Sequence, residues 1–176
     1  MTRLLVLGLL DAQPMSGYDI QQMIGMMDAE RWGGVLVGSI YHALKKLEQE
    51  HHIEITSVEQ TGHRQKAVYQ ITQQGKEHLK SLVIDSLRTS SVLYPTTLYS
   101  GLTFIEKIPR ENARQALEEQ KQRLDEEYRA LEQGLKEKET AMQNDIPQFS
   151  KITFDNMFSI IRQQQQFIDK LLDALE

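Results

Sequence analysis

The chain has 176 residues, 40% hydrophobic and 26% charged, with a formal net charge of −5, the balance of a folded protein of one or two small domains rather than a disordered, collagenous or membrane chain. It contains no cysteine, which excludes disulfides, thiolate nucleophiles, iron-sulfur clusters and cysteine-zinc sites and fits a reducing cytoplasm. The mild acidity extends over both halves and announces no nucleic-acid partner by charge alone.

The run Leu4-Leu5-Val6-Leu7-Gly8-Leu9-Leu10 is far shorter than the ~20 residues that span a bilayer. It ends at Asp11 with no small-x-small cleavage site, so it reads as a buried first helix, not a targeting segment, and no membrane partner is expected. Ser16-Gly17-Tyr18-Asp19 has the capping-box pattern and should start a second helix with Ile20, Met23, Ile24 and Met27 on one face. Gly33, Gly34 and Gly38 punctuate the chain. A third helix is expected over residues 39–50, with Ile40, Ala43, Leu44 and Leu47 inward and Tyr41, His42, Lys45, Lys46 and Gln49 outward.

The period then changes. Ile53, Ile55 and Val58, a polar segment over residues 60–66 with Gly62 at the turn, and Ala67-Val68-Tyr69-Gln70-Ile71 predict a β-hairpin. Thr72 should cap the next helix, which carries Leu79, Leu82, Val83 and Leu87. After an uncharged stretch over residues 90–103, Pro109 opens a helix of about 35 residues running to Gln143. Leu117, Leu124 and Leu131 are spaced by heptads, with Tyr128, Leu135 and Met142 interleaved and Lys121 and Lys138 interrupting the seam. Asn144-Asp145-Ile146-Pro147 turns the chain, and Phe154, Phe158, Ile161, Gln165, Ile168, Leu172 and Leu175 step by four and three along a last helix, beside a second stripe of Met157, Ile160, Phe167 and Leu171. An apolar face this wide calls for more than one neighbour. A second copy of the chain would cover it, with Leu117, Leu124, Tyr128, Leu131, Leu135, Phe154, Phe158, Ile161, Ile168 and Leu172 as the dimerisation residues.

The expected architecture is therefore mostly α with a small β-hairpin. A winged helix-turn-helix DNA-binding domain occupies residues 1–88, and a coiled-coil-like helical hairpin for dimerisation occupies residues 89–176. Enzyme chemistry finds no footing: there is no Gly-x-Ser-x-Gly elbow, and Gly34 to Ser39 falls one residue short of a phosphate loop and lacks its lysine. His42, His51, His52, His63 and His78 lie close in sequence but show no His-Glu-x-x-His spacing, so neither a metal nor another cofactor is expected. The helix-helix-hairpin order instead suits duplex DNA, with the third helix in a major groove and His63, Arg64 and Lys66 of the hairpin tip against phosphate or a minor groove. Lys45, Lys46, Arg64 and Lys66 are offset by Glu48, Glu50, Glu54 and Glu59, so a merely solvated surface stays open at this point.

Leu7-Gly8-Leu9-Leu10, Ser16-Gly17-Tyr18-Asp19-Ile20, Gly38-Ser39-Ile40-Tyr41-His42-Ala43-Leu44-Lys45-Lys46-Leu47-Glu48, then Val68-Tyr69-Gln70-Ile71-Thr72 and Gly75 resemble the PadR family of bacterial transcription regulators over about residues 4–80. The second half resembles that family's helical dimerisation domain by pattern only. The resemblance implies a homodimeric, ligand- or stress-responsive regulator, usually a repressor, that binds an inverted repeat in double-stranded DNA; a small aromatic or hydrophobic molecule is the expected class of any effector. It puts Tyr18, Ser39, Tyr41 and Lys45 near DNA, with Arg64 and Lys66 on the wing. The chain departs from the family at His42, where proline is common, and at His51, where glycine often ends the recognition helix. Aromatic residues near the expected domain junction, Trp32, Tyr94, Tyr99 and Phe104, are the candidate effector contacts. A second reading keeps the winged fold as an adaptor that binds protein and not DNA.

Overall fold

The computed structural model describes residues 1–61, 64–89, 92 and 94–176, and the side chains of residues 59–61, 64 and 65 lie outside that description. The chain forms two units, Met1–Val92 and Leu93–Glu176.

In the first unit, helix α1 (Thr2–Ala12) buries Val6, Leu7, Leu9 and Leu10, as expected of a run apolar on more than one side. A two-residue strand β1 (Met15–Ser16) follows, too short to show any alternation in sequence. Ser16 caps α2 (Gly17–Met26) through the anticipated capping box, its hydroxyl accepting from the Asp19 N–H while the Asp19 carboxylate accepts from the Ser16 backbone. The glycine-punctuated segment contains a short helix, α3 (Ala29–Gly33), closed by Gly34 at φ 63°, a left-handed conformation natural to glycine. Helix α4 (Val37–Gln49) buries Ile40, Ala43, Leu44 and Leu47, the stripe read from the sequence.

Strands β2 (Ile53–Thr61) and β3 (Arg64–Ile71) form an antiparallel hairpin, and β1 pairs with the far edge of β3 to give the order β1-β3-β2. Pairing continues to Thr61 and Arg64, with one irregularity between Ile55 and Ser57, so the strands reach further into the polar segment than its composition suggested. Thr72 caps α5 (Gln73–Arg88) by accepting from the Gly75 N–H. A Cβ on Gly75 would lie 2.0 Å from the His52 carbonyl oxygen, the same oxygen that accepts the Thr72 N–H at 3.0 Å. The base of the hairpin and the start of α5 are thus in direct backbone contact, which explains the glycine. Leu7, Leu10, Ile20, Ile40, Leu44, Leu47 and Ile53 form the most deeply buried part of this core, and each contributes roughly 1.5–3 kcal/mol relative to an exposed side chain.

In the second unit a helix α6 (Thr96–Thr103) and a 3₁₀ turn (Ile105–Lys107) occupy a segment in which no helix was expected. Two long helices follow, α7 (Arg110–Ala141) and α8 (Gln148–Asp173), each preceded by a proline at its N-cap. The reversal between them takes Gln143 and Asn144 through φ of 51° and 66°, and Ile146 is buried inside the turn. Leu117 and Leu131 of α7 and Ile161 and Ile168 of α8 are buried. Leu124, Tyr128, Leu135, Phe154, Phe158 and Leu172 are half-buried. The two lysines that break the heptad seam are absorbed by α8: Lys121 pairs with Asp169, and the Lys138 ammonium lies 5.7 Å from the Phe154 ring centroid. Tyr128 packs on Phe158 with centroids 4.9 Å apart, and its hydroxyl accepts from Arg162 at 2.6 Å. No helix among the described residues is long and apolar enough to cross a membrane.

Candidate nucleic-acid interface

The outward side of α4 is built by helical periodicity: with Ile40, Ala43, Leu44 and Leu47 turned into the core, Lys45 and Gln49 fall opposite them one turn apart. His42, Lys45, Lys46 and Gln49 are exposed, and neither lysine forms an ion pair with the described residues. The first turn of α4 contains no acidic residue and no side-chain cap, so the positive end of the helix is not neutralised locally. Ser39 is half-buried there, and its hydroxyl donates to the Leu36 carbonyl at 2.6 Å and lies 3.4 Å from the Thr2 hydroxyl. Leu36 and Val37 are exposed at the same end, 60% and 48%, an apolar flank that the sequence reading left unassigned.

Tyr41 occupies the flank of α4 that faces α2. An added Cβ on Gly17 would lie 2.9 Å from Tyr41 Cε1 and 3.2 Å from Leu44 Cδ1, so the tyrosine ring packs over the glycine where α2 begins. This contact accounts for the glycine of the Ser-Gly-Tyr motif, and it gives Tyr41 a packing partner on α2. The adjacent Tyr18 is exposed, and the Lys66 ammonium from β3 lies 5.9 Å from its ring centroid.

Lys66 also bonds the Asp19 carboxylate at 3.1 Å. Asp19 therefore serves the α2 cap and the root of the wing at once. The Ser16 hydroxyl, which donates to it at 2.7 Å, is the main cause that holds the Asp19 carboxyl below its ordinary range; burial opposes it, and Lys66 adds to the lowering. The role of Asp19 as a capping residue was legible; its second partner, 47 positions away in sequence, was not. Burial raises the Tyr69 phenol on β3, and Glu48 and Tyr41 add to the shift. Tyr18, Tyr41 and Lys66 are thus brought into one neighbourhood through α2, beside the exposed face of α4. His63 lies outside the described residues, and of Arg64 only the backbone at the start of β3 is described.

The four aromatic effector candidates are distributed over both units. Trp32 belongs to the first, where its indole N–H donates to the Met27 carbonyl at 2.8 Å. In the second unit the Tyr94 and Tyr99 rings are 6.3 Å apart, and Tyr99 meets Phe167 edge-on at 6.0 Å. Phe104 is exposed. A recess of about 270 Å³ beside α2 is lined by Gln13, Pro14, Met15, Asp19, Gln22 and Met23, and none of the four aromatics contributes to it. Among the described residues no three potential metal ligands cluster.

Residues 6–81 match the transcriptional regulator PadR-like family. Among solved structures, Bacillus subtilis PadR in complex with operator DNA is 22% identical with a TM-score of 0.76, covering 99% of this chain and 98% of that one. The same protein in complex with p-coumaric acid is 21% identical with a TM-score of 0.74, covering 98% and 97%. The Vibrio cholerae virulence activator AphA is 18% identical with a TM-score of 0.70, covering 99% and 98%. These likenesses extend the winged-helix fold with C-terminal helices over the whole chain. No curated protein matches.

Proposed function

We propose that this chain, whose residues 6–81 form a PadR-like domain, is a transcriptional regulator that binds a palindromic operator as a homodimer and acts as a repressor. The observation that carries the reading is α4, whose exposed side presents His42, Lys45, Lys46 and Gln49 beside Tyr18 and the root of the wing, the arrangement a winged helix-turn-helix offers to a major groove. Lys45 and Gln49 reach base edges in this reading. Lys46 is assigned to the phosphate backbone, His63, Arg64 and Lys66 are assigned to phosphate or a minor groove, and Ser39, Tyr18 and Tyr41 flank the helix. Two such helices about 34 Å apart would read successive major grooves.

The second unit supplies the dimer in this reading. Phe149, Ile152 and Ile160 on α8 are exposed by 83%, 53% and 55% in the single chain, and a second copy would cover apolar surface of that kind. An effector that favours one arrangement of the subunits would change DNA affinity by its difference in affinity for the two arrangements. Bacillus subtilis PadR, solved with operator DNA and with p-coumaric acid, supports a small aromatic molecule as effector class, with Trp32, Tyr94, Tyr99 and Phe104 as contacts to test.

The experiment is an electrophoretic mobility shift of the full chain on DNA upstream of its own gene, with unrelated competitor DNA and increasing salt. Specific binding survives competitor and weakens steeply with salt through counterion release. Lys45→Ala should weaken it by ~1–3 kcal/mol if the lysine reads a base. Binding to a protein partner that is insensitive to salt, with no shift on nearby DNA, would favour the adaptor reading instead.

A further inference from the structure

At the C-terminal end of α4, away from the face assigned to DNA, four ionisable side chains converge from α1, from α5 and from the turn between α4 and β2. Arg3 of α1 forks onto the Glu50 carboxylate at the end of α4, one bond being 3.3 Å and the other shorter. The same guanidinium lies 3.2 Å from His78 Nε2 on α5. The His78 ring stacks on that of His52, the residue just before β2, with centroids 4.3 Å apart and planes 14° from parallel. His52 Nε2 is 3.6 Å from Glu50, its side chain is only 12% exposed, and its Nδ1 is buried with no hydrogen-bond partner among the described residues.

Chemistry fixes the protonation state of this arrangement. A guanidinium has only donors, so His78 Nε2 can meet Arg3 at this distance only as an acceptor, with the ring neutral and its proton on Nδ1. Arg3 and Glu50 then cancel, and the neutral His78 ring adds no charge. One proton gives the cluster a net positive charge, and a second sets two cations face to face beside a guanidinium, so the pair titrates as a coupled unit. Two parallel stacked rings do not aim their lone pairs at a common point, which makes this a poor metal site and a good proton-sensitive one.

The position gives the cluster leverage. The His52 N–H donates to the Leu47 carbonyl at 2.8 Å and closes the last turn of α4, and the His52 carbonyl holds Thr72. Opening the stack therefore loosens the end of α4 together with the junction of the hairpin and α5. We propose that the His52–His78 pair is an acid-sensitive latch on the C-terminal end of the recognition helix, closed while both rings are neutral and opened when the pair takes up protons. Burial first, then the stacked His52 ring and the Arg3 guanidinium, hold the His78 imidazole below its ordinary value, against the opposing pull of Glu50. A histidine depressed in the folded state is protonated more readily in the unfolded one, so its contribution is fully present above about pH 6.5 and is lost as the pH falls through the folded value.

The test uses the full chain with labelled histidines, each assigned by a single His→Gln variant, followed by NMR from pH 8 to 5. The latch requires His78 to carry its proton on Nδ1 at neutral pH and to titrate below the ordinary histidine value of about 6.5. His78→Gln keeps an acceptor for Arg3 and cannot titrate, so the loss of melting temperature of the first unit between pH 7.5 and 5.5 should shrink by at least half in this variant. A His78 that titrates at or above the ordinary histidine value of about 6.5, or a variant that loses as many degrees as the native chain, overturns the proposal. If the variant does not fold, the NMR titration of the native chain decides. The consequence for operator binding rests on the DNA-binding reading: at constant salt the native chain should lose several-fold more affinity than His78→Gln over the same pH change. Equal losses refute the coupling to DNA. A chain that binds no operator at either pH refutes the DNA-binding reading alone, and the NMR result still decides the latch.

Discussion

His51 stands one residue beyond the Glu50 C-cap of α4, with φ 60°, where an L-residue costs roughly 1–2 kcal/mol through the approach of Cβ to the following carbonyl. The turn is a Schellman motif: the His51 N–H bonds the Glu48 carbonyl at 3.0 Å and the His52 N–H bonds that of Leu47 at 2.8 Å, leaving His51 at the position glycine usually fills. The imidazole of His51 is exposed and makes no hydrogen bond to the described residues, so little is lost with it. His51→Gly should relieve the left-handed strain but lose about 0.5–1 kcal/mol to the greater freedom of glycine in the unfolded chain. The net gain is about 0–1.5 kcal/mol, a rise of up to about 12 °C in melting temperature for a unit of this size. Calorimetry of the first unit's transition measures it, with His51→Ala as control, because alanine keeps the Cβ and its strain. If Gly and Ala variants melt together, or if glycine lowers the transition, the assignment of strain to this residue is wrong.

Two further substitutions probe close approaches of backbone. Gly75→Ala places a methyl group 2.0 Å from the His52 carbonyl oxygen, which cannot retreat without breaking its bond to Thr72; a loss of about 3 kcal/mol or more is expected, seen as a fall of more than about 10 °C in the first transition. Gly17→Ala meets the Tyr41 ring at 2.9 Å and Leu44 Cδ1 at 3.2 Å; the half-exposed ring can swing outward while the buried Leu44 must give by a few tenths of an ångström, so a loss of about 1 kcal/mol is expected. Operator affinity should fall by more than that. An unchanged affinity, with the Tyr41 ring signals displaced in an NMR spectrum, would remove Tyr41 from the interface.

The elements that announced themselves were those whose periodicity was repeated often enough to read. α1, α2, α4, the hairpin, α5 and the two long helices each carried either a sustained apolar stripe or a cap such as Ser16 or Thr72. β1, α3 and α6 did not. A two-residue strand has no alternation, a five-residue helix bounded by Asp28 and Gly34 completes barely one turn, and Thr96 to Thr103 lacks a charged face to set off its apolar residues. His51 shows the complementary case. Its departure from glycine put the end of the recognition helix in question, yet the turn forms with histidine because the backbone hydrogen bonds and the burial of Leu47 outweigh a strain of about 1–2 kcal/mol at one residue.

The candidate interface was legible in kind more than in connection. Lys45 and Gln49 could be assigned to the exposed side of α4 by counting, because the inward residues of the same helix fix its rotation. Lys66 could not be assigned in this way: its charge suggested a phosphate contact, whereas in the folded chain its ammonium is bound by Asp19 and lies over Tyr18. Whether it contributes to DNA affinity then depends on competition between a fixed carboxylate and a phosphate, two anions of similar demand. Lys45 and Lys46 face no such competitor among the described residues. On this argument the salt dependence of operator binding should draw more on α4 than on the root of the wing.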